Sequence, residues 1–322
     1  MTCAGAGYVQ AEPIALDVLL DTSLSMEREV SPGRSRLQVA QSALRAFYRR
    51  LPQTTWAGFT NFPNVQVSPG YHGPTACFLP YQAGPVRPLD VPEQLPMLET
   101  VLSELLPLGA TPTEDAFSFA RTQLADSALP PERSLVLITD GPPTCSAQCE
   151  GDGRTPADTT GLLILVQRAR EMGQPTFVVA LGEHADADWL TTLAQAGGTA
   201  FRNCTLETLP CHYAVPDGPD AASRLDSALA RVSEQSAGCR FRLPQNIDLD
   251  HTNLVFELPE SDAVMVRASG AVAGDCHGLR WAKRNGSDFA ELCPDACQAL
   301  RDAVGTRVYL MVGCAASPIP RP

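Results

Sequence analysis

The sequence predicts an α/β fold in which a doubly wound, mainly parallel sheet is followed by a small disulfide-stapled β-rich domain. Up to about residue 237, short apolar runs typical of buried strands alternate with segments whose apolar residues recur every three or four positions. From residue 238 onward, apolar residues instead alternate with period two, and five of the eleven cysteines lie there. We therefore expect an N-terminal arm (1–12), an α/β domain (13–237) and a Cys-rich β domain (238–322).

The strands and helices of the α/β domain are predicted from these periodicities and from the turn residues between them. The predicted strands span residues 14–20, 54–62, 65–67, 134–139 and 175–181, and the predicted helices span residues 37–51, 95–105, 113–124, 160–171, 186–195 and 221–233. Ser35 is expected to cap the first helix. Eight prolines between residues 63 and 96 predict an irregular insertion, which we expect Cys77 to tether.

Charge and composition exclude several classes of function. The net charge is −12, from 24 basic and 36 acidic residues, and no basic patch offsets it, so we expect no nucleic-acid partner. Lys283 is the single lysine, which excludes a P-loop lysine or a Schiff-base lysine from the first two-thirds of the chain. No apolar stretch approaches the roughly 18 residues of a membrane helix, so no transmembrane segment is predicted.

Eleven cysteines in 322 residues predict an oxidising compartment, because cytosolic enzymes of this size seldom hold so many. The alternative is a cytosolic protein with buried free thiols. Zinc binding is less favoured, since the pairs at 145/149 and 293/297 lack both CxxC spacing and an HxxxH partner. The odd count leaves at least one cysteine without an intrachain partner. Cys3 is the candidate, and a lipid anchor at the N-terminus, present or lost, is left open.

Three polar clusters lie where an open α/β sheet binds its ligands, beyond the carboxyl ends of its strands. Asp21, Ser23 and Ser25 follow the first predicted strand, Thr111 precedes a helix, and Asp140 follows a later strand. Two carboxylates and three hydroxyls, with no sulfur or imidazole, are the ligands that a hard divalent ion such as Mg²⁺ or Ca²⁺ prefers. We therefore predict a metal site made of these five residues, in which the cation offsets the repulsion between the two carboxylates.

The D-x-S-x-S turn at residues 21–25, the later threonine and the apolar strand ending in Thr-Asp-Gly, in this order, resemble the metal-ion-dependent adhesion site of von Willebrand factor A domains. The resemblance covers about residues 13–237 and implies a Rossmann-like fold holding a divalent cation. Mg²⁺ is the favoured ion, with Ca²⁺ and Mn²⁺ as alternatives. The resemblance also implies that Ser23, Ser25 and Thr111 coordinate the cation directly, and that Asp21 and Asp140 act through water. In the family, an Asp or Glu of a protein partner fills the open position.

Leu24 departs from the family, which frequently has glycine between these two serines. Leucine disfavours a positive φ, so we expect this residue to alter the loop geometry and to project onto the binding face. The ligand set itself is unchanged.

The C-terminal cysteines carry a second resemblance. The segments at 239–244, 292–297 and 312–314 resemble the C-terminal extension of secreted or lipoprotein-type bacterial A-domain proteins. This resemblance implies an extracytoplasmic location, whether secreted, periplasmic or on the outer surface as a lipoprotein.

Three other interpretations of the same residues stay open. A phosphatase-like, metal-dependent hydrolase would use Asp21 as its nucleophile, but Ser23 stands where such enzymes have a second Asp, and the domain has no lysine. An intracellular subunit of an ATPase or chelatase-type complex would leave the cysteines unexplained. The five polar residues would otherwise serve only as caps and turn formers. We expect a protein-binding and adhesion module and no enzyme.

Overall fold

The chain divides into two units, Pro13–Val232 and Met1–Glu12 with Ser233–Pro322. The structure, a computed structural model, describes residues 5–9, 11–63, 77, 81–145, 159–182, 186–201, 204, 210–236, 238–244, 252–257, 264–268, 278, 280–283, 289–302 and 307–312. The strands are β1 (Gly5–Tyr8), β2 (Ile14–Asp21), β3 (Glu29–Ser31), β4 (Arg34–Ser35), β5 (Trp56–Phe62), β6 (Tyr81–Pro88), β7 (Glu132–Thr139), β8 (Thr176–Leu181), β9 (Tyr213–Val215), β10 (Arg240–Arg242), β11 (Thr252–Glu257), β12 (Val264–Ala268), β13 (Arg280–Lys283), β14 (Phe289–Leu292) and β15 (Arg307–Val312). The helices are α1 (Arg36–Arg50), α2 (Gln94–Glu104), α3 (Thr113–Leu124), α4 (Thr160–Glu171), α5 (Ala187–Gly197), α6 (Ala221–Gln235) and α7 (Pro294–Asp302).

Six of the described strands form the sheet of the unit Pro13–Val232, in the order β6-β5-β2-β7-β8-β9. Neighbouring strands run parallel except at the edge, where β6 is antiparallel to β5. Numbered from β2, this is the 3-2-1-4-5-6 order of a doubly wound sheet, whose switch point lies between its first and fourth strands. The predicted α/β fold class is confirmed. A ligand is therefore expected beyond the carboxyl ends of β2 and β7.

Two apolar clusters cover the two faces of this sheet. One joins α1, α2 and α6 to Leu16, Val18 and Leu20 of β2, and the other joins α3, α4 and α5 to Ala15 and Leu19. This alternation follows from the period of two along a strand. Because β2 is buried on both faces, its polar residues reach a ligand only at its end, where Asp21 stands.

Helix α1 begins with the cap predicted at Ser35. The Ser35 hydroxyl accepts a hydrogen bond from Gln38 N at 3.2 Å, and Gln38 Oε1 accepts one from Ser35 N at 2.9 Å. This reciprocal pair satisfies backbone donors that a helix N-terminus leaves unpaired. It fixes the first turn of α1 and so places Arg36, the first residue of the helix, whose side chain is buried.

The edge strand differs from the sequence prediction. Strand β6 lies inside the stretch predicted as an irregular insertion, whereas the strand predicted at 65–67 lies outside the described residues. Pro85 and Pro88 fit in β6 because an edge strand pairs through one side only, and the pairing with β5 also shifts register. Cys77 forms a disulfide with Cys145, so the expected tether of this insertion is confirmed.

The unit of Met1–Glu12 and Ser233–Pro322 contains a sheet of seven described strands in the order β1-β15-β11-β12-β13-β14-β10. All of its pairings are antiparallel except that of β12 with β13. Cys239 is bonded to Cys297, and Cys293 is disulfide-bonded as well, so the predicted disulfide-stapled β-rich fold is confirmed. Residues 1–12 were expected to form an arm, but Gly5–Tyr8 is a strand of this sheet and pairs with β15. Among the described residues, no helix has both the length and the apolar character to span a bilayer.

Candidate metal centre

Asp21, the last residue of β2, organises the loop that follows it. Its Oδ1 accepts a hydrogen bond from Ser23 N at 2.8 Å, and its Oδ2 accepts one from the Thr139 hydroxyl at 2.7 Å. The first bond forms an Asx turn, which bends the chain directly after the strand. The second links the end of β2 to the end of β7. Asp21 is fully buried, so its carboxylate accepts hydrogen bonds from these protein groups and has no contact with bulk solvent.

The hydroxyls of Ser23 and Ser25 lie side by side, with 3.0 Å between their Oγ atoms. The Ser25 hydroxyl also donates to Asp140 Oδ1 at 2.7 Å. Because this bond uses the single hydroxyl hydrogen of Ser25, the oxygen keeps its lone pairs for a donor or for a cation. Asp21, Ser23, Ser25 and Asp140 come from two separate segments, and the structure joins them in one hydrogen-bonded group.

Thr111 lies in the loop between α2 and α3, which is bonded to the loops after β2 and β7. Thr111 N donates to Thr144 Oγ1 at 3.0 Å, and Thr144 N donates to Thr111 O at 3.1 Å. On the other side, Leu24 N donates to Gly109 O at 3.0 Å. These bonds hold the Thr111 backbone between the two loops that carry the other four predicted ligands.

Leu24 opens a short 3₁₀ turn, Leu24–Glu27, directly after Ser23. Such a turn uses right-handed backbone angles, which leucine adopts without strain. The expectation that Leu24 alters the loop geometry is therefore wrong. The Leu24 side chain is 38% exposed.

A buried arginine that the sequence patterns do not indicate also belongs to this group. Arg36 Nη1 donates to Asp140 Oδ2 at 2.8 Å, and Nη2 donates to Asp217 Oδ2 at 3.1 Å. The Arg36 side chain is 1% exposed. Its two partners are 104 and 181 residues away along the chain, beyond the range of any local pattern. The available clue is the capping Ser35 before it, because helices of a doubly wound sheet begin at the ligand-binding edge.

Burial and neighbouring charges shift the pKa values of the groups at this edge. Burial, and then the charge of Asp140, raises the pKa of Asp21 above its ordinary value. Burial alone would lower the pKa of Arg36, but hydrogen bonds to Asp140 and Asp217 outweigh it and raise that pKa. Further back in β2, burial raises the pKa of Asp17 to about 8, while a hydrogen bond from Thr60 acts to lower it. A positive charge beside Asp21 would favour the ionised form of its carboxyl group and so oppose the rise in its pKa.

The donor set fits a hard divalent cation. Two ligands bound to an octahedral ion at right angles lie about 2.9 Å apart, and the Ser23 and Ser25 hydroxyls are 3.0 Å apart. Every predicted metal ligand at the site offers an oxygen atom, and oxygen ligands suit Mg²⁺, Ca²⁺ or Mn²⁺. In the part of the chain that the structure describes, no three His, Cys, Asp or Glu side chains are grouped to hold a metal. A metal site here therefore depends on the hydroxyls.

Gly182, directly after β8, leaves room for the Arg36 guanidinium. Its φ is +90°, and a Cβ at this position would lie 2.0 Å from Arg36 Nη2 and 2.3 Å from Arg36 Cζ. The guanidinium cannot move aside without breaking its ion pairs to Asp140 and Asp217. The position of Arg36 therefore requires glycine at residue 182.

In its sheet order and its site loops, the chain resembles von Willebrand factor A domains in fold as well as in motif. No family model matches the chain, and no curated protein matches its sequence. Similar solved structures include a von Willebrand factor type A protein from Catenulispora acidiphila, with 13% identity and a TM-score of 0.48, covering 97% of this chain and 60% of that one. The pilus adhesin SpaC from Lactobacillus rhamnosus GG has 14% identity and a TM-score of 0.49, covering 95% and 40%. Manganese-loaded TRAP protein from Plasmodium vivax has 12% identity and a TM-score of 0.44, covering 90% and 97%.

The chain thus spans 60% and 40% of the lengths of the first two of these proteins. At such identities and TM-scores, the likeness carries no conclusion about function. The function has to rest on the site residues themselves.

We expect Gly182→Ala to destabilise the protein far more than Gly173→Ala. Both glycines have positive φ, +90° and +77°, so alanine costs about 1 kcal/mol of backbone strain at either position. A Cβ at residue 173 would meet nothing within 4 Å, whereas one at residue 182 would displace Arg36. Urea unfolding should show a loss of about 1 kcal/mol for Gly173→Ala and of about 3 kcal/mol or more for Gly182→Ala. Equal losses would contradict the close packing of Arg36 against residue 182.

Proposed function

We propose that the protein is a metal-dependent protein-binding and adhesion module. The observation that carries the proposal is the hydrogen-bonded group of Asp21, Ser23, Ser25 and Asp140. It stands at the switch point of a doubly wound sheet, where such folds bind their ligands. Two strand ends there present paired hydroxyls whose spacing suits a divalent cation.

In this proposal, the hydroxyls of Ser23, Ser25 and Thr111 contact the cation directly, while Asp21 and Asp140 contact it through water. Thr111 is included because its loop is bonded to the loops on both sides of it. Mg²⁺ is the favoured ion, and Ca²⁺ and Mn²⁺ are alternatives that the same oxygen donors would accept.

The hydrogen bonds of the two carboxylates support this division of roles. Asp21 accepts from the backbone of its own loop and from the Thr139 hydroxyl. Asp140 accepts from the Ser25 hydroxyl and from the Arg36 guanidinium. Each carboxylate oxygen is therefore already engaged by a donor of the protein. Such carboxylates are better placed to orient the hydroxyls and bound water than to replace them as ligands.

A partner of acidic chemistry follows from the ligand set. A cation held mainly by neutral hydroxyls keeps more of its charge than one held by carboxylates, and so attracts a further anionic ligand. We propose that an Asp or Glu side chain of a protein partner is that ligand. The exposed Leu24 side chain at the rim offers an apolar contact to the same partner.

The burial and the hydrogen bonds of the Asp21 carboxylate favour a binding function over an enzymatic one. A phosphatase-like hydrolase would need this carboxylate as a nucleophile. It is fully buried, however, and both of its oxygens accept hydrogen bonds from the protein. A nucleophile must instead reach the reacting atom of its substrate.

An extracytoplasmic location is part of the proposal, either secreted, periplasmic or on the outer surface as a lipoprotein. It is supported by the disulfides, which persist in oxidising compartments. Those that join described cysteines are Cys77–Cys145, Cys204–Cys211 and Cys239–Cys297. A chelatase-type intracellular subunit is disfavoured by the same bonds. Cys3, the proposed unpaired cysteine, lies outside the described residues.

We expect Mg²⁺ or Mn²⁺ to raise the melting temperature of the wild-type protein above its value in EDTA. At a concentration 100 times the Kd, a ligand that binds only the native state adds about 2.7 kcal/mol of stability. Asp21→Ala should abolish the rise, because it removes the carboxylate that orients the Ser23 loop. Asp90→Ala, the same substitution at an exposed position, is the matched control and should keep the rise. An equal rise in Asp21→Ala would refute the site assignment.

A second expectation concerns the partner. Immobilised protein should capture surface or envelope proteins in Mg²⁺ and release them in EDTA. Ser25→Ala, which removes a proposed ligand, should capture none of them, whereas the exposed Ser103→Ala control should capture as the wild type does. Amidation of the partner's carboxyl groups before mixing should also prevent capture. Capture that survives EDTA or amidation would count against an acidic ligand on a cation.

A further inference from the structure

Arg36 is a buried positive charge beside the proposed cation site. We propose that it is a positioning residue with two effects: it orients Asp140, and its charge lowers the affinity of the site for a divalent cation. This inference rests on the metal binding proposed above. The site would then have its loops held together by a resident guanidinium. It would bind the cation more weakly than the same ligands would without Arg36.

The orienting effect follows from the contacts of Asp140. Arg36 Nη1 lies 2.8 Å from Asp140 Oδ2, while Ser25 Oγ lies 2.7 Å from Asp140 Oδ1. A carboxylate held at both oxygens by short, charge-assisted hydrogen bonds has one orientation. Arg36 therefore also determines where the Ser25 hydroxyl lies, and this hydroxyl is one of the proposed direct ligands.

The charge effect follows from the burial of the ion pair. The Arg36 side chain is 1% exposed and that of Asp140 is 3% exposed, so water and salt screen this charge only weakly. A cation bound at Ser25 would share the Asp140 carboxylate with the guanidinium. Two positive charges would then compete for one negative group, and their mutual repulsion would weaken the binding of the cation.

Asp217 offsets this effect. It accepts from Arg36 Nη2 at 3.1 Å and neutralises part of the guanidinium charge. Asp217 precedes α6 and is not one of the five predicted ligands. Removal of its charge should therefore leave Arg36 more repulsive toward a cation, and removal of the Arg36 charge should do the opposite.

The test is isothermal titration of the full chain with MgCl₂ alone, together with melting temperatures in EDTA and in Mg²⁺. Arg36→Met should bind Mg²⁺ about tenfold more tightly than the wild type, melt lower in EDTA and show a larger rise with Mg²⁺. Asp217→Asn should bind about threefold more weakly. Arg36→Lys, which keeps the charge, should stay within about threefold of the wild type. The exposed Arg49→Met is the matched control and should leave binding unchanged.

The opposite signs separate a charge effect from a purely structural one. If Arg36 only supported the fold, Arg36→Met and Asp217→Asn would both weaken binding, and that result would overturn the proposal. Should Arg36→Met fail to fold, the double variant Arg36→Met/Asp217→Asn removes one charge of each sign and is compared with Asp217→Asn alone. Tighter binding by the double variant supports the proposal, and equal or weaker binding overturns it.

The same titrations distinguish this inference from the proposed function. If the wild type binds Mg²⁺ and Arg36→Met binds no more tightly, the role of Arg36 is wrong and the metal site stands. If Arg36→Met binds and the wild type does not, the role of Arg36 is supported and metal-dependent function of the wild type is not. If neither binds, both proposals are wrong.

Discussion

The Asp140 carboxylate is the junction on which the geometry of the site depends. One of its oxygens accepts from the Ser25 hydroxyl and the other from the Arg36 guanidinium. Through these bonds it connects the loop after β2, the first turn of α1 and, by way of Arg36, Asp217 ahead of α6. The Asp140 carboxylate and the Arg36 guanidinium are both buried. Loss of either group would leave the other as an uncompensated buried charge. Such a change costs about 3–5 kcal/mol in buried ion pairs.

The order of the strands brings two carboxylates, those of Asp21 and Asp140, to the same edge of the sheet. Strands β2 and β7 are parallel neighbours, with Leu20 opposite Ile138. Asp21, the last residue of β2, and Asp140, the residue directly after β7, therefore meet at one edge of the sheet. Burial on both faces of the sheet raises the cost of leaving these carboxylates near each other without a positive charge. Arg36 supplies one such charge from within the chain. The proposed divalent cation supplies the other, and the paired serine hydroxyls give it ligands without adding negative charge.

Sequence patterns predict the parts of this arrangement that depend on short stretches of chain. Apolar runs identify β2 and β7, and the geometry of open α/β sheets then places Asp21 and Asp140 at one edge. The partners of Arg36 could not be predicted, because its ion pairs join residues far apart along the chain. Strand β6 was missed because its prolines resemble those of a loop, although an edge strand accepts them. Strand β1 was missed because the strand that it pairs with, β15, lies at the other end of the sequence.

The most direct test of the account is to locate the ion in a crystal of the protein soaked in MnCl₂, by anomalous scattering from manganese. The account predicts one strong peak within about 2.5 Å of the hydroxyl oxygens of Ser23 and Ser25, with Asp21 and Asp140 farther from it. The peak should be absent from crystals of Ser25→Ala. The account would be contradicted if saturating manganese gave no peak at these hydroxyls, or gave its strong peak only at another place in the protein.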